Sequence, residues 1–371
     1  MRSDVIVVGG GVIGLGIAWR CAQRGLGVTV VDPSPGSGAT WTAAGMLAPT
    51  TELHYGEQAL LALGLESARR YPAFVAELED ATGIEVGYRR DGTIVAAWDA
   101  ADLAGLRDLQ EFGRTLGLTT ELVTGRELRR LEPALASGLP GGLIAADDCQ
   151  IDNRRLHDAL VIALERAGGR LVRERAASVS GDRVTLATGD VLPAATVVVA
   201  AGAWTGQLDG VPAGAVPVHP VKGQTLRLRQ SGDAQLRHVV RGVVRGSPVY
   251  LIPRTNGEIV VGASSEEAGF DLSPRAGAIY ELLRDAQALV PVLGEATFGE
   301  VSTSLRPGSP DNAPMVGPTS VAGLVVATGH YRNGILLAPV TADGVAELIA
   351  DGALPDVLAP FTPSRFERAS A

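Results

Sequence analysis

Asp4-Val-Ile-Val-Val8 runs directly into Gly9-Gly10-Gly11-Val12-Ile13-Gly14, and the reading of this stretch decides the fold. The first five residues form a short apolar run of the kind a buried parallel strand needs, and residues 12–24 continue with the spacing of an amphipathic helix. Gly9 and Gly11 let the backbone turn and approach a pyrophosphate, while Gly14 lets the helix lie against the strand. The helix N-terminus, with its unpaired N–H groups and positive dipole end, then faces the phosphates. A second apolar run, Val28-Thr-Val-Val31, ends in Asp32 at the spacing from which an acid reaches an adenosine ribose. The glycines alone fit any tight βαβ turn. Strand, helix and acid together predict a dinucleotide-binding fold.

Composition sets the frame. A chain of 371 residues is long for one core, so two domains are expected. With 46% hydrophobic and 20% charged residues it reads as an ordinary globular protein, and a net charge of −9 argues against nucleic acid or an anionic membrane as partner. No apolar run of about 18 residues is present. No charged leader with a cleavage site precedes the first strand, so a cytoplasmic setting is the expectation. Cys21 and Cys149 make neither a disulfide framework nor a metal cluster and read as packing residues; no metal is expected.

Beyond Asp32, Pro33-Ser-Pro-Gly-Ser-Gly38 must be a loop, and it feeds the small-residue run Ala39-Thr-Trp-Thr-Ala-Ala-Gly-Met-Leu47. Small side chains there suit close passage of a flat group along the backbone. A helix is predicted over 60–82, a strand over 93–97, a helix over 99–117 and another opening at Thr124, where Thr124 and Glu127 make a capping box. The character of the first domain returns with a helix over 154–167, a strand over 169–173, a hairpin around 188–190 and a buried strand over 196–203 delivering Gly202 at its C-terminal edge, where ligands of open sheets collect. Period-2 runs at 224–228, 249–253 and 258–262 predict an antiparallel sheet, with a helix over 275–290 covering it. A last buried strand, 324–328, leads into Gly329-His-Tyr-Arg-Asn-Gly-Ile335. The fold expected is α/β (α+β overall): a Rossmann-like domain from 1–82, 144–219 and 303–371, and a mainly antiparallel-sheet domain from 83–143 and 220–302.

The chain resembles the glycine-oxidase group of the D-amino-acid oxidase superfamily, flavoenzymes linked to thiamine biosynthesis. The resemblance rests on Val7-Val-Gly-Gly-Gly-Val-Ile-Gly14, Ala43-Ala-Gly-Met-Leu47, Ala200-Ala-Gly-Ala-Trp204, Pro220-Val-Lys-Gly223, Val249-Tyr-Leu-Ile-Pro-Arg254, Leu305-Arg-Pro-Gly308 and Gly329-His-Tyr-Arg-Asn-Gly-Ile-Leu-Leu-Ala-Pro339. It implies non-covalent FAD held by Gly9, Gly11, Val12, Ile13, Gly14, Asp32, Pro33 and Thr40 at the adenosine and pyrophosphate. Ala44, Gly45, Met46 and the run His330, Tyr331, Arg332, Asn333, Gly334, Ile335, Leu336 would approach the flavin, and the Ala177 backbone would meet the adenine; Gly202 joins the cofactor set through its place at the strand edge. A helix beginning near Asn333 would aim its dipole at the flavin.

The same resemblance implies oxidative deamination of glycine or another small amine by hydride transfer, with oxygen as acceptor, hydrogen peroxide as product and a homo-oligomeric enzyme. Arg306 is the expected carboxylate clamp, Tyr250 a second donor and Arg332 an added positive field. Ser265 and Pro248 stand where relatives carry a methionine and a histidine, which leaves the preferred amine open. Lys222, the only lysine, reads equally as a flavin neighbour or an ordinary strand-end residue. A sarcosine oxidase, a D-amino-acid dehydrogenase and a non-catalytic flavin scaffold are the competing readings. The first is weakened because no cysteine follows Cys149 to attach a flavin, the last because Arg306, Tyr250 and Arg332 occur together.

Overall fold

The computed structural model describes residues 3–212, 214–230 and 236–367. Its first sheet is built around Ser3–Val8, with Val191–Val199 and Val28–Val31 parallel on either side. Leu324–Thr328 and Arg170–Val172 extend it in parallel outward, and Met315–Pro318 closes one edge antiparallel. Val5 and Val7 point into a core shared with the helices Val12–Gln23, Asn153–Arg166 and Ala338–Asp351. Ile6 and Val8 point the other way, into a core closed by the antiparallel meander of Ala176–Ser180, Arg183–Leu186 and the start of Val191–Val199. Because both faces are covered, the central strands read as unbroken apolar runs and not as alternation.

The second sheet runs in the spatial order Thr297–Gly308, His219–Arg229, Glu258–Gly262, Ser247–Pro253, Val239–Val244, Thr93–Ala97, Gly141–Ala145 and Glu121–Thr124. Every pair is antiparallel except Thr93–Ala97 with Val239–Val244, which is parallel. One face packs Val240, Val244, Val249 and Leu251 against Leu282, Ala286 and Leu289 of the helix Ala276–Leu289. The opposite face is left for the site. The strand Thr297–Gly308 passes without a break through position 303, where the sequence placed a boundary, because it pairs along its length with His219–Arg229.

Local signals act as expected. Thr124 Oγ1 accepts from Glu127 N while Glu127 Oε2 accepts from Thr124 N, closing the capping box that starts Gly125–Leu131. The long helix Gln58–Thr82 reaches across to the turn that precedes the helix Ala338–Asp351. Ser67 Oγ donates to Leu336 O at 2.6 Å, and Tyr71 donates its hydroxyl to Ile335 O.

Candidate active site

The glycine turn is shaped by close approach. Gly9 has φ +116°, and a Cβ there would fall 2.3 Å from Ala200 O; one on Gly14 would fall 2.0 Å from Gly9 O. Side chains therefore cannot enter, and the backbone lies bare at the helix start. Gly14 packs the helix on the strand and, unlike Gly9 and Gly11, does not line the cavity described next. Asp32 Oδ2 accepts from Gly10 N at 2.7 Å and Oδ1 from Ser34 N at 2.8 Å, which fixes the carboxylate at the end of its strand. Thr40 Oγ1 accepts from Val12 N at 3.0 Å.

One continuous cavity of 1170 Å³ begins at this turn. It exceeds the roughly 300–1,000 Å³ of small-molecule pockets, as a dinucleotide together with a substrate requires. Val12, Ile13, Asp32, Pro33, Thr40, Ala44, Gly45, Met46, Gly202 and the whole run His330 to Leu336 line it, and so do Tyr250, Arg306 and Arg332. Ala177 does not; it is exposed, and its neighbours Arg175 and Ala176 reach the cavity instead, because the edge strand turns the next residue outward.

Arg254 pins the middle of the cavity. Its Nη2 donates to Ala44 O at 2.7 Å and its Nη1 to Ile151 O at 2.8 Å, so the residue that follows the strand Ser247–Pro253 holds the small-residue turn in place. Gly45 sits in that turn at φ +78°, and a Cβ on it would fall 2.0 Å from Ile151 O. Burial lowers the Arg254 guanidinium to about 10, so it still carries its charge at neutral pH. Arg254 ends the run Val249-Tyr-Leu-Ile-Pro-Arg254, whose pattern carries no sign of these partners.

At the far end the sheet presents a row of polar groups. Arg241 and Tyr250 face each other across neighbouring strands, and Gly262 lies opposite Tyr250 on the next. A Cβ on Gly262 would fall 2.4 Å from the Tyr250 hydroxyl. Arg306 Nη1 donates to Ser264 O at 3.1 Å. Burial raises the Tyr250 phenol above its ordinary value despite the nearby Arg306 charge, so its hydroxyl stays protonated as a donor.

Arg332 is not free. It lies 3.6 Å from Glu52 and 4.0 Å from Glu57, and Glu52 also meets Arg241 at 2.5 Å. Burial pushes the Glu52 carboxyl up, but Arg241 and Arg332 outweigh it and hold the group below its ordinary value, hence ionised. Arg241 Nη1 further donates to Thr51 O at 3.0 Å, and Thr51 donates its hydroxyl to Asp148 at 2.7 Å. Glu52 and Arg241 were missed in the sequence: one sits in an aperiodic loop, the other on a strand whose Val239-Val-Arg-Gly-Val-Val244 shows no clean alternation.

His330 hydrogen-bonds Thr341 Oγ1 through Nε2 at 3.1 Å, and burial pushes it down to about 3, so the ring is neutral. Tyr331 adopts φ +47°, rare for a bulky residue, and donates its N–H to Pro307 O at 3.0 Å. The expected helix start near Asn333 is corrected. Residues 334–337 form turns, Leu337 N donating to Asn333 O, and the helix proper begins at Ala338 with Pro339 in its first turn. Lys222 does not line the cavity, although the adjacent Gly223 does: fully buried, it donates to Ser273 O at 2.5 Å and pairs with Glu266 at 3.6 Å and Asp271 at 3.7 Å. Among the described residues no group of three His, Cys, Asp or Glu side chains could hold a metal, and no helix is long and apolar enough to cross a membrane.

Residues 4–348 match the family of FAD dependent oxidoreductases. The chain is 34% identical to the bifunctional protein ThiO/ThiG of Trichormus variabilis over 99% of its own length and 56% of that protein's, so it spans little more than half of that relative. It is also 34% identical to a glycine oxidase of Geobacillus kaustophilus, covering 98% of this chain and 97% of the relative. The crystal structure of glycine oxidase from Geobacillus kaustophilus superposes with a TM-score of 0.91 at 33% identity, covering 98% and 99% of the two chains.

Proposed function

The chain belongs to the FAD dependent oxidoreductase family, and from that premise we propose that it oxidises glycine and other small amino acids to the imine, which hydrolyses to glyoxylate and ammonia when glycine is the substrate. The observation that carries this reading is the single cavity joining a bare glycine turn to Arg306 and Tyr250. The residues fit FAD. The turn admits no Cβ at Gly9, the run 42–46 is small and backbone-lined, and the volume suits a dinucleotide. Gly9, Gly11, Val12, Ile13, Asp32, Pro33 and Thr40 would hold the adenosine and pyrophosphate; Ala44 to Met46, Gly202 and His330 to Leu336 would flank the ring. FAD held there would supply the hydride acceptor for the substrate Cα and the route of the electrons to oxygen, with hydrogen peroxide as product.

The protein's own part is orientation and charge placement. Arg306 presents a guanidinium fork that matches a carboxylate with charge-assisted bonds. Tyr250, held protonated, donates beside it. Neutral His330 adds no charge next to the ring, and Glu52 restrains Arg332 and Arg241 at the rim.

This reading includes oxygen as acceptor, a cytoplasmic homo-oligomer, and supply of the product to thiazole formation in thiamine biosynthesis. It also divides the chain into an FAD-binding domain of 1–82, 144–219 and 303–371 and a substrate domain of 83–143 and 220–302. The separate membership of the two large sheets supports two domains, while the boundaries at 143/144, 219/220 and 302/303 each fall inside a strand of the second sheet and move to that strand's end. The test is the absorbance of the holoenzyme, recorded without oxygen before and after glycine, sarcosine and D-alanine. Bleaching reversed by air, with peroxide formed, is expected; a flavin spectrum that none of them changes would overturn the reading.

A further inference from the structure

The cavity does not stop at Arg306 and Tyr250. Beyond the Arg241–Tyr250 pair the same two strands place Val243 opposite Pro248, on the same face and still lining the cavity. Helix Ala100–Thr115 stands across from them and turns Leu106 and Leu109 to the same space. Of its residues only Gly113 is buried, and Leu106 and Leu109 are only partly covered where they face the cavity. Tyr55 closes the rim, its ring stacked on Phe112 with centroids 4.5 Å apart. Val243 is 42% and Tyr55 66% exposed. Apolar surface left uncovered and continuous with a binding cavity marks a place for an apolar ligand group.

The charges around this lobe are already occupied. Asp102 caps the helix, accepting from Trp98 N at 3.1 Å and Asp99 N at 3.3 Å. Arg241 is paired with Glu52 and bonded to Thr51 O, and the exposed His54 stands beside Glu52. A second carboxylate or an ammonium group entering here would find no uncommitted partner among these groups. An uncharged chain would cover Val243, Leu106 and Leu109.

We propose that the lobe between helix Ala100–Thr115 and the Val243–Pro248 strand pair is a substrate subsite that takes an uncharged apolar substituent carried on the nitrogen or Cα of the amino acid. The proposal rests on the amine-oxidase reading above and extends it from glycine to larger apolar amino acids. Pro248 lies two positions along the strand from Tyr250, about 7 Å, which an extended chain of about four to six carbons crosses. Pro248 and Ser265, the departures noted in the sequence, both line the cavity.

The experiment titrates the FAD holoenzyme with acetate, butyrate and hexanoate, following the flavin absorbance, and measures turnover of glycine and N-butylglycine on the same preparation. Affinity is expected to tighten roughly threefold to fourfold per added methylene while the chain remains in the lobe, and kcat/KM to favour N-butylglycine over glycine in the same sense. Leu106→Asp and Val243→Asp, both at partly exposed positions, are expected to erase that gain while acetate binding and glycine turnover remain at the parent level. Those last two readings report that each variant is folded. Equal affinity for acetate and hexanoate, or a loss in the variants that is the same for all three carboxylates, would overturn the subsite alone. A holoenzyme whose spectrum neither glycine nor any carboxylate perturbs would overturn the subsite and the amine-oxidase reading together.

Discussion

The Arg306 guanidinium lies directly over Gly223: a Cβ built on Gly223 would fall 2.4 Å from Arg306 Nη1 and 2.6 Å from its Cζ. The two residues sit on paired strands, Val221 facing Arg306 and Gly223 one pleat further on, so the missing side chain is what lets the guanidinium lie flat on the sheet. Gly223→Ala must therefore displace the clamp. KM for glycine is expected to rise about tenfold, a loss of roughly 1.4 kcal/mol, with FAD affinity unchanged. Steady-state kinetics check this against Arg306→Ala, where the rise is expected to be larger because whole charge-assisted bonds are lost. A parent-like KM in Gly223→Ala would remove the clamp role from Arg306.

Arg254 couples the second sheet to the turn beside the flavin-facing run. Removing it leaves Ala44 O and Ile151 O without their donor in a buried place, at about 1–3 kcal/mol for each orphaned group. Arg254→Ala is expected to weaken FAD binding and to lower the thermal midpoint, while Arg254→Lys restores only part because one ammonium cannot reach both carbonyls in fork geometry. Cofactor release measured by flavin fluorescence reports the effect. Parent-level retention of FAD in the alanine variant would refute it.

Glu52 holds two guanidiniums at the substrate end, Arg241 at 2.5 Å and Arg332 at 3.6 Å. Glu52→Gln frees both from their counter-charge. The ratio of kcat/KM for a dicarboxylic amine such as iminodiacetate to that for glycine is expected to increase by about tenfold, corresponding to one new charge pair of roughly 1.4 kcal/mol. Competition kinetics with the two substrates measure this ratio directly, and no change would mean that Glu52 does not control the charge met by substrate.

His330 gives a pH signature. Burial lowers its folded value to about 3 from an ordinary 6.5, so the unfolded chain binds a proton that the folded one refuses between those values. Stability is therefore fully present above about pH 6.5 and is lost as pH falls, by about 2 kcal/mol at pH 5 for this group. His330→Gln removes the titration. Denaturant unfolding at pH 7.5 and pH 5 is expected to show a smaller acid loss in the variant than in the parent; equal losses would contradict a buried neutral imidazole.

The order of strands and helices was legible wherever local chemistry decides it. Apolar runs covered on both faces, the Thr124–Glu127 cap and the period-2 strands around Tyr250 carry their own periodicity, and each formed where the pattern put it. The glycine turn was legible for the same reason, since a backbone that must approach closely leaves a mark in residue type at fixed spacing. The start of the helix Ala338–Asp351 was not: residues 334–337 obey the helical pattern, yet the turn hydrogen bonds that precede Pro339 depend on anchors from Ser67 and Tyr71, more than 260 residues away in the chain.

Arg241 meeting Tyr250, Glu52 meeting both Arg241 and Arg332, and Arg254 gripping Ala44 are likewise products of tertiary structure alone. A charged side chain carries no sequence record of its partner, because an ion pair is fixed by three-dimensional distance and burial and not by spacing along the chain. The sequence by itself determined a dinucleotide-type sheet, a second antiparallel sheet and the residue types able to hold a carboxylate. Which charges are free to meet a substrate, and that an uncharged lobe lies beyond them, was decided only when the strand register brought distant residues onto one face.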